Sequence, residues 1–461
     1  MLRTATAFGT GLLLLGTTLV ASGPARAGDV SVKLDSGAGF TIKNSTGAIE
    51  RLRVDEATGN VSRNGALFVH TTGANNLFVG PGAGNTGTFG PGGNSAFGAG
   101  ALSSNLYGFN NSAIGWYALR SNTSGGQNSA LGYRALESNT GDHNSAVGAR
   151  ALQSNTAGAY NSAVGSFALR SNTTGVGNTA AGYGALRANT TAEFNSAFGV
   201  RALFRNTAGV QNTAVGYAAA YSNTTGHLNS AVGKAALRTN TTGLSNSAFG
   251  SYALRNNSSG NRNIAVGRDA GTNQTTGSDN IYLANIGVAA ESGQIKIGTA
   301  GTHTATFIAG IRGVTTANAN AIPVLIDSAG QLGTVSSSRS VKQDIRDMGD
   351  ATARLLELRP VTFRYREQQQ TLPSGGAAPP EYGLIAEEVA DVFPDLVVYD
   401  DAGKPFTVKY HELAPMLLNE MKKEHRSSLE QQRVIEAQRQ EIATLSARLA
   451  RIETQLGDAR R

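Results

Sequence analysis

The chain has no cysteine among its 461 residues. Disulfides therefore contribute nothing to its stability. Charge is scarce as well: Asp, Glu, Lys and Arg make up only 15% of the chain, while glycine numbers 58. That balance does not describe an ordinary enzyme core. The six histidines are scattered without metal-ligand spacing, so no metal and no other cofactor is expected. After residue 27 no apolar run approaches the length that a membrane-crossing helix needs, so no membrane anchor is expected. The formal net charge of +7 is modest for this length. It permits attraction to an anionic glycan without arguing for it, and no nucleic-acid partner is expected.

Residues 1–27 read as a secretory signal. Arg3 supplies an early positive charge, Leu12 to Leu15 an apolar stretch, and Ala25-Arg26-Ala27 a small-x-small cleavage site. The mature product is expected to be secreted or displayed at the cell surface.

A repeat dominates the middle of the chain. An Asn followed by Ser, Thr or Ile recurs at Asn94, Asn111, Asn128, Asn144, Asn161, Asn178, Asn195, Asn212, Asn229, Asn246, Asn263 and Asn280. Every spacing is 17 residues except one of 16, shortened at Gly141-Asp142-His143. The consensus is Asn-Ser-Ala-Val-Gly-x-x-Ala-Leu-x-x-Asn-Thr-Thr-Gly-x-x. Gly, Asn and Thr at this density exclude a helix. Two short apolar pieces per unit, such as Ala163-Val164 and Ala168-Leu169, predict two strands per unit, with Gly and Asn at turn positions of positive φ. Stacked units predict a β-solenoid rod over 94–284, in which identical residues form amide ladders. Each unit alone buries too little to offset its ordering entropy, so pairing with two sister chains along an Ala/Val/Leu face is expected. The pattern resembles the left-handed β-roll of trimeric adhesin heads, with a slightly different period.

Residues 28–93 predict a β-rich cap, with strands at Phe40-Thr41-Ile42-Lys43 and Ala66-Leu67-Phe68-Val69. Residues 285–336 predict a β connector, with strands at Gln294-Ile295-Lys296-Ile297 and Ala305-Thr306-Phe307-Ile308. Beyond 337 the composition turns to charged, mixed α/β chain. A helix capped by Asp350 is expected over 351–358, a strand over 361–365, a loop over 368–380 and a helix over 387–393. A hairpin turning at Asp401-Ala402-Gly403-Lys404 comes next. Residues 426–461 carry heptads, with Ile435, Ile442, Leu449 and Leu456 at a, and Gln438, Leu445 and Ile452 at d, so a coiled coil is expected.

Few residues suggest chemistry. Glu387-Glu388 read as acids favoured at a helix N-terminus, and Gly233-Lys234 lacks the flanking residues of a phosphate loop. Arg120, Arg170, Arg187, Arg238 and Arg255 share one repeat column, broken by Ser103, Glu137, Gln153 and Phe204, which reads as a solvated face or as a stripe for an anionic polysaccharide. One ordered set stands apart: Ser337-Ser338-Arg339-Ser340-Val341-Lys342, then Gly383-Leu384-Ile385-Ala386-Glu387-Glu388-Val389, Pro394, Leu396-Val397-Val398-Tyr399 and Val408-Lys409-Tyr410. Over 337–425 it resembles the endosialidase-type intramolecular chaperone, the self-cleaving C-terminal module of phage tail spikes and related trimeric fibres. The resemblance implies homotrimer assembly and a Ser–Lys dyad, Ser337 as nucleophile and Lys342 as base, cutting the Ser336–Ser337 bond. Many members carry Asp where this chain has Ser338, and a bulkier apolar residue where it has Val341.

The fold expected is mainly β: a trimeric β-solenoid rod, a small α/β chaperone domain and a coiled coil. The function expected is an exported structural fibre or adhesin that processes itself and turns over no external substrate. The alternative is a tail spike that degrades or binds a surface glycan. Degradation needs paired carboxylates, and Glu137, Asp142, Glu193, Asp269 and Asp279 share no repeat column.

Overall fold

A computed structural model describes residues 39–44, 46, 50–87, 89–366 and 379–458. Residues 1–38, which include the expected signal sequence, and most of the loop expected at 368–380 lie outside them. The chain divides into two compact units, residues 1–311 and 312–461.

The first unit is a β-solenoid. Fourteen three-residue strands, from Leu77–Val79 to Ile295–Ile297, pair in parallel, each with the next turn of the chain. Thirteen steps of one strand spacing give a rod of roughly 60 Å. The stack thus begins one turn before the expected boundary and ends one turn after it. An antiparallel meander, Phe40–Lys43, Glu50–Val54, Val61–Arg63 and Ala66–His70, covers its first edge, Val69 pairing with Val79. Pairing that edge removes a template for aggregation.

Each turn holds one strand, not the two expected. In the turn from Asn161, the strand is Ser162–Val164, and Ala168-Leu169 forms a bend instead. Ala168 and Leu169 are both fully buried, whereas successive residues of a strand face opposite sides. The chain meets that demand by placing Phe167 at φ +60° and Leu169 at φ +49°. Their amides donate in opposite directions, Phe167 N to Ala149 O of the turn before (3.0 Å) and Leu169 N to Ala185 O of the turn after (2.9 Å). Positive φ is costly for residues with a Cβ, so inter-turn bonding offsets it, together with leucine burial at the turns that carry leucine.

Glycine works differently at two repeat positions. Gly165 needs its φ of +127°, and a Cβ there would lie 2.6 Å from Gly182 O. Gly175, expected at positive φ, has none. It is glycine because a Cβ would meet Asn172 Oδ1 at 2.5 Å and Ala192 O at 2.4 Å.

The interior holds two amide ladders. Asn161 Nδ2 donates to Gly175 O (2.8 Å) and Asn144 Oδ1 (3.3 Å), and Asn161 Oδ1 accepts from Asn178 N (3.0 Å) and Asn178 Nδ2 (3.2 Å). The second ladder runs through Asn155, Asn172 and Asn189, with Nδ2-to-Oδ1 distances of 2.7 and 2.8 Å. Buried amides are thereby satisfied by their own copies in adjacent turns. Alanine, alanine and leucine of most turns, with Ala220 in place of leucine in one, fill the remaining space within one chain. Sister chains are not needed to bury the Ala and Leu columns, contrary to expectation. Phe78 in the first strand and Tyr282 in the last but one, both fully buried, replace the strand alanine. Gly84 leaves room for the Phe78 ring, and Gly271 for that of Tyr282. Burial, with the Glu291 carboxylate beside it, pushes the Tyr282 phenol up.

Residues 300–351 are exposed throughout except Leu325. Their one ladder joins Leu325–Ile326 to Leu332–Gly333. Ile295–Ile297 is a strand as expected, but Ala305 to Ile308 is not. It has no partner strand in its own chain, and Phe307 is 94% exposed.

The second unit is small. The helix expected over 351–358 is a 3-10 helix, Gly349–Glu357, and Asp350 does not cap it; Met348 precedes it without a side-chain cap. Three-residue spacing aligns Thr352 with Leu355 on one face, and both are buried. Val361–Phe363 pairs with Glu381–Gly383, and Val397–Tyr399 with Pro405–Val408 around the expected turn. Helix α1 spans Ala386–Val392 and α2 Tyr410–Asp458. The boundary expected at 425/426 falls inside one continuous helix.

Candidate autoprocessing site

Ser337 and Lys342 flank a 3-10 turn, Arg339–Val341. Ser338 caps it, its Oγ accepting from Ser340 N (3.3 Å) and sharing a hydrogen bond with Ser340 Oγ (2.8 Å). Lys342 closes the turn through its amide, which donates to Arg339 O (3.3 Å). Ser336 Oγ accepts from Ser338 N (3.3 Å). The hydroxyls of Ser338 and Ser340 are thus engaged locally. Among the described residues the Ser337 hydroxyl and the Lys342 ammonium have no side-chain partner, and they are not bonded to each other. All of 336–342 is exposed. A lysine acts as base when desolvation favours its neutral form, and the single chain supplies no covering at Lys342.

Downstream lies a compact support. Val389, Leu396, Val397 and Val408 form its buried core, packed by Leu358, Leu384, Phe393, Leu413 and Met416. Gly383 is glycine because a Cβ would stand 2.8 Å from Tyr410 Oη. That hydroxyl accepts from Leu384 N (2.9 Å) and so ties the start of α2 to the strand before α1. Glu388 does sit in the first turn of α1, and it pairs with Arg359, whose guanidinium holds its carboxyl below the usual glutamate range. Arg354 Nη1 donates to Val392 O at the other end of α1 (3.2 Å).

Residues 337–398 match the family model described as chaperone of endosialidase. The matched stretch starts at Ser337 and lies C-terminal to the β-solenoid. No curated protein and no solved structure matches this chain. The rod and all of α2 lie outside the matched stretch.

A clamp between the 3-10 helix and α2 has no contiguous signature in the sequence. Thr352 Oγ1 donates to Glu420 Oε1, and Asn419 Nδ2 donates to Thr352 Oγ1 and to Gly349 O (2.9 Å). Lys423 Nζ lies 2.9 Å from Glu420 and 3.3 Å from Asp350. It fixes Asp350, eight residues past Lys342, onto α2. The i,i+3 spacing of Glu420 and Lys423 was its one visible signal.

The arginine column of the rod is also more than its sequence spacing showed. Arg134 and Arg150, from a different repeat position, fill the gaps left by Glu137 and Gln153. Guanidiniums and rings then alternate: Arg120 over Tyr117 (4.4 Å), Arg150 over Tyr133 (5.7 Å), Arg170 over Phe167 (5.5 Å) and Arg187 over Phe204 (5.4 Å). Glu137 is drawn into ion pairs with Arg120 and Arg134. Among the described residues no group of three or more His, Cys, Asp or Glu could hold a metal ion, and no helix is long and apolar enough to cross a membrane.

Proposed function

We propose that the chain is an exported homotrimeric fibre or adhesin whose chaperone domain drives assembly and then cuts the Ser336–Ser337 bond. The observation that carries the reading is the family match, which begins at the proposed nucleophile. The exposed segment supports it: Phe307, Ile311, Val314, Ile322, Val335 and Val341 are each more than 60% exposed and have no core in their own chain. Burial against other copies would also desolvate Lys342. The seam of α2 is in the same condition, with Ile442, Leu449 and Ile452 more than half exposed, as a coiled coil of several chains requires. Residues 1–27 would direct export, without a membrane anchor and without a nucleic-acid partner.

In the reaction, neutral Lys342 takes the Ser337 hydroxyl proton as Oγ attacks the Ser336 carbonyl carbon. The C–O bond forms, the C–N bond breaks, and the proton passes to the departing Ser337 amine. Water then hydrolyses the ester, leaving a Ser336 carboxylate and a fragment that begins at Ser337. Ser337→Ala should yield an assembled, uncut protein. Lys342→Arg should also fail, because guanidinium stays protonated, while Ser338→Ala and Ser340→Ala should still cleave. N-terminal sequencing of the fragments reads the result. Scission of Ser337→Ala at the wild-type rate would assign the cut to another protease.

A surface glycan as ligand of the rod is the second reading, favoured by the arginine–ring ladder. A glycan-degrading spike is disfavoured, since Glu137, Asp269 and Asp279 are each held in ion pairs with arginine.

A further inference from the structure

The rod has an outward strand face that a lone chain leaves bare. In each repeat the residue after the buried strand alanine points out, and from Phe97 to Leu283 that column is Phe, Ile, Leu, Val or Ala at every turn. Ile114 is 47% exposed, Leu131 48%, Val164 53%, Phe198 44% and Phe249 44%. Across these turns the outward residue two places earlier is Ser, Thr or Ile, so the strand face carries no charge at all. A strip about 10 Å wide and more than 50 Å long offers on the order of 500 Å² per chain. Contiguous apolar patches of that size mark interaction sites on soluble proteins. Three such strips meeting along one axis bury about 1,500 Å² in all, roughly 500 Å² for each pair of chains, so the rod contact acts together with contacts elsewhere in the chain.

Charge and the filled interior identify the occupant. The Ala and Leu columns are filled within one chain and have nothing to offer a neighbour. The arginine ladder cannot face its own copy, because like charges would oppose one another at most turns. The uncharged column is self-complementary: a copy in the same register sets apolar residue against apolar residue along the whole rod. We propose that this outward column, typified by Ile114, Val164 and Phe249, is the face on which copies of the rod pack together in parallel, leaving the arginine ladder in solvent. The proposal rests on the trimeric reading above.

The absence of cysteine makes the test clean. Leu131→Cys, Val164→Cys and Val215→Cys are made singly in the full chain, with Arg238→Cys as a probe on the basic side. Light scattering gives the mass, and labelling with a small maleimide gives the accessibility of each thiol. If the proposal holds, the protein is a trimer and the three column thiols react about tenfold or more slowly than Cys at 238, because reaction requires the interface to open. A trimer in which the column thiols label as fast as the one at 238 overturns the proposal and leaves the trimeric reading standing. A monomer in solution overturns both.

Discussion

Replacing Asn161 by alanine tests the amide ladder at its centre. The Asn178 backbone N–H loses the one acceptor it has, Asn161 Oδ1 at 3.0 Å. Asn178 Nδ2 keeps Ala192 O (2.8 Å) and Gly175 O keeps Asn172 Nδ2 (3.0 Å), so each loses one bond of two. An orphaned buried donor costs about 1–3 kcal/mol and a partly lost hydrogen bond about 1 kcal/mol. Together these place the substitution at roughly 2–4 kcal/mol. Ser162→Ala, one residue on and exposed, should stay within about 0.5 kcal/mol of wild type. Urea unfolding monitored by circular dichroism gives the difference as a midpoint shift. Native-state hydrogen exchange localises it, since the Asn178 amide should lose protection before amides several turns away. Equal stability of the two variants, or unchanged protection at Asn178, would refute the ladder as a source of stability.

The inter-turn glycine and the clamp of the chaperone domain carry two further predictions. Gly165→Ala combines strain at φ +127° with a Cβ 2.6 Å from Gly182 O, and should cost more than about 3 kcal/mol. A rod with an unchanged melting temperature would contradict that contact. Glu420 is held below the usual glutamate range by the Thr352 hydroxyl and by Lys423. A carboxyl lowered in the folded state contributes stability above its unfolded value of about 4.3, and loses it as pH falls through the folded value. Glu420→Gln should therefore flatten the acid side of the chaperone domain's stability profile, measured by helical circular dichroism between pH 5 and pH 2, and an unaltered profile would remove the clamp from the account.

The sequence by itself determined the solenoid. Twelve asparagines at one period demand a stack, because only repetition in space gives each buried amide the same partner above and below. It also pointed to the chaperone family over 337–398, since the Ser337–Lys342 segment and the Gly383-to-Val389 motif are each a continuous run of the chain. The hairpin at Asp401 to Lys404 was legible for the same reason: its turn chemistry is local. Tertiary structure decided what depends on which way a side chain faces. Ala168-Leu169 reads as a strand by composition, and only the closed cross-section of the turn shows that both residues must point inward, which positive φ achieves. That same closure moved the Ala and Leu columns out of reach of sister chains and left the Val164 column outside. Arg134 and Arg150 joined the ladder from a different repeat position, which no linear column reveals. Thr352 and Glu420 lie 68 residues apart in sequence, so their clamp exists only once α2 folds back along the 3-10 helix.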